Sequence, residues 1–286
     1  MKVISLMYHD IVKPGGEDAS GFPGRDAALY KIERALFERH LDALGEAAAG
    51  AVTTVFDLAG ANTTPPPRTP AKATSAPAST SSPASSPAAT PVLITFDDGG
   101  ASACAAAAML ERVGWRGHFF VTAGRVGSPG FLAREQIKEL HARGHVVGSH
   151  SYSHPVRMAR CARAELLDEW ARSVALLSEI TGERVRTASV PGGYYSDEVA
   201  RAADSAGLEF LFTSEPTARV RRVGSCAVLG RYSLQRGATA GTVAAIAAGR
   251  IAPRLRQVVL WNAKKLAKAA GGEYYLRARR ALVGGR

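Results

Sequence analysis

The chain has 286 residues, of which 46% are hydrophobic, and a net charge of +11. That is ample material for one buried core, and a single folded domain of this length is ordinary. No run of about 18 or more apolar residues occurs, which excludes a membrane-spanning helix, and no signal-peptide pattern precedes the first strand. Three cysteines without CxxC spacing, Cys104, Cys161 and Cys226, predict free thiols in a reducing cytoplasm.

Residues 1–10 predict a strand that ends at His9 and Asp10. Catalytic groups of barrel enzymes come from the carboxyl ends of strands, so His9 is a candidate to reach a metal-bound water or the substrate. A structural histidine packed at the barrel mouth is the alternative. Residues 34–48 follow as an amphipathic helix with an apolar face.

Residues 62–91 differ in kind, since 27 of these 30 positions are Pro, Ala, Ser or Thr. Such a composition buries too little apolar area to offset the entropy of ordering. We interpret the stretch as a disordered surface insertion within one domain. A lid over the site or a protein tether is the alternative.

The apolar run 92–96 predicts a buried strand that ends at Asp97 and Asp98, followed by two glycines. Two like charges in a cleft repel, and a metal ion is the simplest group that relieves this repulsion. An Asp-Gly turn that closes a hairpin is the alternative for this pair taken alone.

Two histidines four residues apart, His150 and His154, follow a second short apolar strand. They can face one ion if the segment turns like a helix, and a catalytic zinc-type site uses three protein ligands and one open position. The three protein ligands would be Asp98, His150 and His154. Two surface histidines in a serine-rich turn are the alternative, which is weakened because both motifs follow strands.

Strands and helices alternate along the rest of the chain, a pattern that favours a parallel barrel. Three further histidines have no partner at ligand spacing and are assigned structural roles: His118, His141 and His145. The predicted helices are 101–113, 134–143, 162–180 and 197–206, and the predicted strands are 117–122 and 209–213.

The motifs Thr95-Phe96-Asp97-Asp98-Gly99 and His150-Ser151-Tyr152-Ser153-His154 resemble the first two motifs of the polysaccharide deacetylases, the NodB-homology carbohydrate esterases. Phe119-Phe120-Val121 and Met7-Tyr8-His9-Asp10 extend the resemblance to about residues 1–215. It implies a distorted barrel of seven or eight β/α units. It also implies Asp97 as the catalytic base, and Asp98, His150 and His154 as ligands of one divalent metal ion, most simply Zn²⁺.

The stretch 187–195 resembles the family's third motif, whose backbone helps to hold the oxyanion. Four residues are therefore candidates for substrate or oxyanion binding: Pro191, Gly192, Gly193 and Tyr194. The family's Arg is replaced by Ser189, so a charge partner of the catalytic network is expected to be missing. A Pro-Gly-Gly turn without a catalytic part is the alternative.

The family's last motif ends a strand in Leu-x-His, and its His is the general acid. We align residues 258–262 with that strand, where Asn262 stands in place of the His. Either another residue then protonates the leaving group, for which His9 is our candidate on its placement alone, or Asp97 takes the proton from water and passes it on.

Residues 219–286 hold 15 Lys and Arg against one acid, a net charge of +14. We divide the chain into a barrel over 1–262 and a basic helical extension over 263–286. The extension is a candidate for peripheral contact with an anionic membrane at its cytoplasmic face. A solvated basic tail is the alternative, and nucleic acid is disfavoured because no reading motif accompanies the charge.

Together these features predict a metal-dependent hydrolase that deacetylates an N-acetylated sugar of a polysaccharide or lipid-linked glycan. An O-acetyl esterase or small-amide hydrolase on the same site is one alternative. A degenerate barrel that binds glycan without turnover is the other.

Overall fold

The computed structural model describes residues 1–48, 51–61 and 90–263. The strands in this part are β1 Ile4–Tyr8, β2 Ile11–Val12, β3 Ile32–Glu33, β4 Val92–Phe96, β5 His118–Val121, β6 Val146–Ser149, β7 Thr187–Ser189, β8 Phe210–Phe212, β9 Arg221–Val223, β10 Cys226–Leu229 and β11 Tyr232–Ser233. The helices are α1 Arg25–Ala28, α2 Arg34–Ala48, α3 Val55–Ala61, α4 Ala103–Arg112, α5 Arg134–Ala142, α6 Arg163–Thr181, α7 Asp197–Ser205, α8 Ala240–Ala247 and α9 over 251–263.

Nine strands form one curled sheet in the order β11-β1-β4-β5-β6-β7-β8-β10-β9. Neighbours are parallel except for the antiparallel pair β9 and β10. The segment before β1 reaches toward the other end of the sheet, where the Val3 N–H donates to Ala218 O at 2.9 Å. The predicted distorted β/α barrel is therefore confirmed as a curled half-barrel surrounded by helices.

The sheet is buried on both faces, which explains why its central strands are mostly apolar, with buried polar exceptions such as Ser5 and Thr95. All five residues of β1 and all five of β4 are buried. Inside the curl, the rings of Phe120 and Phe212 lie with their centroids 5.1 Å apart. Outside it, α6 buries Trp170 and α7 buries an alanine-rich face. These contacts hold the carboxyl ends of the strands in a fixed arrangement.

The prediction of a strand over 258–262 is wrong, because these residues lie inside helix α9. A short apolar run cannot be assigned to strand or helix by periodicity alone. Helix α9 covers the outer edge of the sheet: the Gln257 side chain hydrogen-bonds both Ser233 N and Ser233 O at 3.1 Å. The last strand of the described part is therefore β11.

The boundary of the predicted insertion also changes at its end. Pro91 O accepts a hydrogen bond from the Ile4 N–H at 2.9 Å, so Pro91 already belongs to the sheet. Residues 62–89 of the insertion, and 264–286 of the predicted extension, lie outside the described residues. Cys104, Cys161 and Cys226 are free thiols, as predicted. Within the described part of the chain, no helix has the length and apolarity to cross a membrane.

The structural role predicted for His118 has a consequence for stability. Its buried ring donates from Nδ1 to Ile94 O at 3.0 Å, and Nε2 accepts from the Val55 N–H at 3.1 Å. Only the neutral ring makes both bonds. Burial lowers the pKa of His118 from 6.5 to about 4, partly opposed by the bond to Ile94.

We therefore expect His118 to make the fold sensitive to acid. The unfolded chain binds this proton more readily, so the stability is complete above pH 6.5 and is lost as the pH falls toward 4. Between pH 7.5 and 5 the loss is about 2 kcal/mol. Urea unfolding of parent and His118→Gln at both pH values measures it. Equal losses in the two proteins would contradict the prediction.

Candidate metal and catalytic site

The candidate site residues meet at the carboxyl ends of neighbouring parallel strands. His9 follows β1, Asp97 and Asp98 follow β4, and His150 follows β6. Backbone hydrogen bonds to the neighbouring strands fix the positions of these residues. The Asp97 N–H donates to Tyr8 O at 3.1 Å, and the His150 N–H donates to Val121 O at 2.8 Å. Parallel strands end at one edge of a sheet, and the sequence therefore brings distant residues to one place.

Asp98, His150 and His154 are brought together as the sequence predicts. One ligand atom of each lies within 4.8 Å of the others. Asp98 Oδ1 is 3.4 Å from His150 Nε2 and 3.7 Å from His154 Nε2. Asp98 and His150 are buried, and His154 is half-buried at the open side.

The hydrogen bonds of His150 fix the tautomer that a metal ligand needs. Its Nδ1 lies 2.6 Å from Ser189 Oγ and 3.2 Å from Ser189 O, so Nδ1 carries the proton and Nε2 keeps its lone pair toward Asp98. Burial, with the neighbouring His150, lowers the pKa of His154 to about 4. The His154 ring is therefore neutral at pH 7, which is the form that binds a metal ion.

Three non-glycine residues of this region adopt left-handed backbone conformations. The φ angles are 73° at Asp98, 62° at Ser151 and 62° at His154. Such conformations cost of order 1–3 kcal/mol each and occur where the surrounding structure holds them for function. Two of the three residues, Asp98 and His154, are candidate metal ligands. The strained backbone therefore lies at the candidate site itself.

Asp97 is bound by an arginine that sequence analysis missed. Arg231, which is 0% exposed, donates from its two terminal nitrogens to the two carboxylate oxygens of Asp97, at 2.6 and 2.7 Å. Ser189 Oγ donates to Asp97 Oδ1 at 3.1 Å. Burial alone would raise the pKa of Asp97, but the charge and hydrogen bonds of Arg231 outweigh this effect and hold the pKa well below its usual range.

The expectation that the catalytic carboxylate lacks a charge partner is therefore wrong. Arg231 comes from the turn between β10 and β11, and it is held by Thr213 O at 3.1 Å. Gly230 before it permits this path, because a Cβ there would lie 2.3 Å from Glu215 O. A lone Arg between two apolar strands was the signal in the sequence, since a buried Arg requires a partner.

His9 lies beside both carboxylates and is half-buried. Its charge acts on the pKa values of both Asp97 and Asp98, and its ring centroid is 4.7 Å from that of Tyr30. The buried Nδ1 of His9 has no hydrogen-bond partner among the described residues. A histidine in this position is able to exchange a proton with a bound substrate.

The predicted oxyanion segment forms a tight turn directly after β7. Pro191–Gly193 forms this turn, with left-handed φ angles of 60° at Gly192 and 69° at Gly193. Glycine adopts these angles without strain. Ser189, two residues before the turn, contacts both His150 and Asp97, and this places Pro191 and the two glycines at the same edge as the site. Tyr194 is half-exposed.

The donor set fits a divalent metal ion. One carboxylate oxygen and two neutral imidazole nitrogens, oriented by further hydrogen bonds, form a set typical of a catalytic zinc site and are also suited to other first-row metals. The His154 side chain is 23% exposed, so the site is open to solvent on this side.

Comparisons with known proteins agree with this geometry. The sequence model of the polysaccharide deacetylase family matches residues 84–211. The putative polysaccharide deacetylase YxkH of Bacillus subtilis is 30% identical over 138 residues, which are 48% of this chain and 49% of YxkH. The match thus spans about half the length of that curated relative.

Solved structures share the fold. IcaB from Ammonifex degensii superposes with a TM-score of 0.62 at 26% identity, over 86% of this chain and 97% of IcaB. BC0361, a polysaccharide deacetylase from Bacillus cereus, superposes with a TM-score of 0.65 at 20% identity, over 86% of this chain and 69% of BC0361. Residues 84–211 therefore match the polysaccharide deacetylase family, and the chain shares the fold of solved structures of NodB-homology deacetylases over most of its length.

Proposed function

We propose that the protein is a metal-dependent hydrolase that removes acetyl groups from the N-acetylated sugars of a polysaccharide or lipid-linked glycan. The observation that carries the proposal is the pairing of a complete metal-ligand set with a separate buried carboxylate. Asp97 is held by Arg231 and does not belong to the ligand set. A pure binding module has no use for such a base.

Asp98, His150 and His154 would hold the ion. When bound, a divalent metal ion supplies Lewis-acid chemistry, which lowers the pKa of water and polarises a carbonyl group. Asp97 takes a proton from the attacking water as the new C–O bond forms at the acetyl carbon. Backbone N–H groups of the Pro191–Gly193 turn stabilise the developing negative charge on oxygen.

Cleavage of the C–N bond requires a proton on the leaving nitrogen. We assign this role to His9, because it lies beside Asp97 and its Nδ1 has no hydrogen-bond partner among the described residues. The products are acetate and a free amino sugar. Transfer from Asp97, which has taken a proton from water, is the second route that the geometry allows.

The same groups can hydrolyse an O-acetyl ester, in which case the leaving group is a sugar hydroxyl. The degenerate binding barrel is disfavoured by Arg231, because the network expected to be broken at Ser189 is complete. The cytoplasmic location stays a prediction. So does the membrane contact over 263–286, of which only Ala263 lies within the described residues.

The first experiment is acetate release from N-acetylglucosamine oligomers, lipid-linked N-acetyl sugars and O-acetylated sugars, with metal content measured on the same sample. We expect release from an N-acetylated substrate that stops when the metal is removed by chelation and returns when Zn²⁺ is added. Release from O-acetylated sugars alone would favour the esterase. Bound metal without release from any of the three would support the binding barrel.

A further inference from the structure

The turn that carries His154 has no regular secondary structure, yet it must place a metal ligand accurately. One carboxylate from outside the turn holds it. Glu169 of α6 accepts hydrogen bonds from the Tyr152 N–H at 2.9 Å, the Ser153 N–H at 2.8 Å and the Ser153 hydroxyl at 2.5 Å. Hydrogen bonds to a charged acceptor are about twice as strong as neutral ones.

We propose that Glu169 is a positioning residue that fixes His154 for metal binding and thereby sets the affinity of the site for its ion. The proposal rests on the metal site of the proposed function. Glu169 accepts its bonds from the two residues directly before His154, while the ligand set itself consists of Asp98, His150 and His154. Its effect must therefore pass through the backbone of the turn.

The backbone of this turn would not hold its shape unaided. Ser151 and His154 both have φ of 62°, a conformation that is unfavourable for these residues. Within the turn, the Ser151 hydroxyl oxygen accepts the His154 N–H at 3.0 Å. The bonds that the Tyr152 and Ser153 N–H groups donate to Glu169 fix the residues between these strained positions, so the backbone of the turn cannot carry His154 away from Asp98 without breaking them.

A second residue of α6 holds the start of the same segment. The hydroxyls of Ser173 and Ser149 lie 2.6 Å apart, and Ser149 Oγ accepts the Ser151 N–H at 3.1 Å. Glu169 and Ser173 are one helical turn apart, on one face of α6. The helix is anchored to the core independently, through its buried Leu166, Trp170 and Leu177. Loss of the Glu169 carboxylate should therefore loosen the turn and leave the fold intact.

The test is the Zn²⁺ affinity of the full chain, measured without substrate by competition with a chromophoric chelator. Glu169→Gln has nearly the same shape but no charge: its amide oxygen can accept the two backbone N–H groups only in weaker, neutral hydrogen bonds, and its amide nitrogen must donate to the Ser153 hydroxyl. We expect the affinity to fall about 10- to 100-fold, the usual effect of removing a residue that supports a metal ligand. Acetate release at limiting Zn²⁺ should fall with it and recover in excess Zn²⁺. Glu169→Asp should fall between parent and Glu169→Gln.

Glu165→Gln is the matched control. Glu165 lies one turn earlier on α6, and its carboxylate also accepts a backbone N–H, that of Ala162 at 2.7 Å. This variant should bind Zn²⁺ as the parent does. Parent-like affinity in Glu169→Gln, or equal losses in both variants, would overturn the proposal.

The same measurements separate this inference from the proposed function. If Glu169→Gln binds Zn²⁺ more weakly and the parent releases no acetate from any acetylated sugar, the inference about Glu169 is supported and the proposed function is contradicted. If Glu169→Gln binds Zn²⁺ as tightly as the parent and the parent releases acetate, the inference about Glu169 is wrong and the proposed function is supported. A parent that binds no Zn²⁺ overturns both.

Discussion

Asp97→Asn should reduce acetate release about 10³-fold, because the amide keeps the shape of the side chain but cannot take a proton from water. The rate is to be measured at saturating Zn²⁺ and saturating substrate, so that a change in affinity does not enter. Asp97 lies outside the ligand set of Asp98, His150 and His154. We therefore expect the variant to bind Zn²⁺ within a few-fold of the parent.

Loss of Zn²⁺ binding in this variant would show that Asp97 acts on the metal site and not as the base. Retention of more than about a tenth of the parent rate would show that another group accepts the proton, given the 10²- to 10⁴-fold effect usual for general base catalysis. Asp168→Asn is a suitable control, because its exposed carboxylate on α6 pairs only locally, with Arg172 at 3.2 Å. It should behave as the parent in both assays.

Arg231→Met should destabilise the protein by about 3–5 kcal/mol, the usual cost of removing one partner from a buried ion pair. The Asp97 carboxylate is 4% exposed and would then remain charged without its two strongest hydrogen bonds. The measurement is the free energy of unfolding in urea at pH 7. Acetate release should also fall sharply, since the carboxylate loses its orientation.

The double variant Arg231→Met, Asp97→Asn separates the lost pair from lost packing. With no charge left to bury, it should be more stable than Arg231→Met alone by about 2 kcal/mol or more. The pH dependence gives a second check. Arg231 holds the pKa of Asp97 below its unfolded value, so in the parent this pair stabilises the fold at neutral pH.

Without Arg231 the effect of burial dominates and the pKa of Asp97 rises above its unfolded value. The penalty in Arg231→Met is then largest at neutral pH and shrinks toward pH 4, where Asp97 takes up a proton. A stability difference between variant and parent that is independent of pH would contradict this account of the pair.

The candidate ligand set could be predicted from sequence because its signals are local. Asp98 follows an apolar strand, His150 and His154 stand at ligand spacing, and parallel strands bring their ends together. Arg231 could not be found in this way, since its partner Asp97 is 134 residues distant and no local pattern specifies which buried carboxylate an arginine meets. The family motif predicts an arginine at position 189. This chain has Ser189 there, and its hydroxyl links His150 to Asp97.

Two further features depend on three-dimensional context. Residues 258–262 form part of a helix because Gln257 and Arg254 of α9 bind β11, through Ser233 and the Tyr232 hydroxyl, and a five-residue apolar run carries no sign of this. The hold of Glu169 on the His154 turn depends on the packing of α6 beside β6. Sequence periodicity predicts that α6 exists but not which of its carboxylates faces the turn.

The position of Arg231 also dictates when the site can assemble during synthesis. The ribosome releases β1 and β4 early, but the guanidinium that neutralises Asp97 follows more than 130 residues later. β11, the neighbour of β1 in the sheet, emerges directly after it. A nascent chain that ends before this point must keep the Asp97 carboxylate in water, bury it protonated or bury it uncompensated, and each of these disfavours early closure of the first half of the sheet. Within the described residues, β11 therefore completes the sheet only after Arg231 has been made.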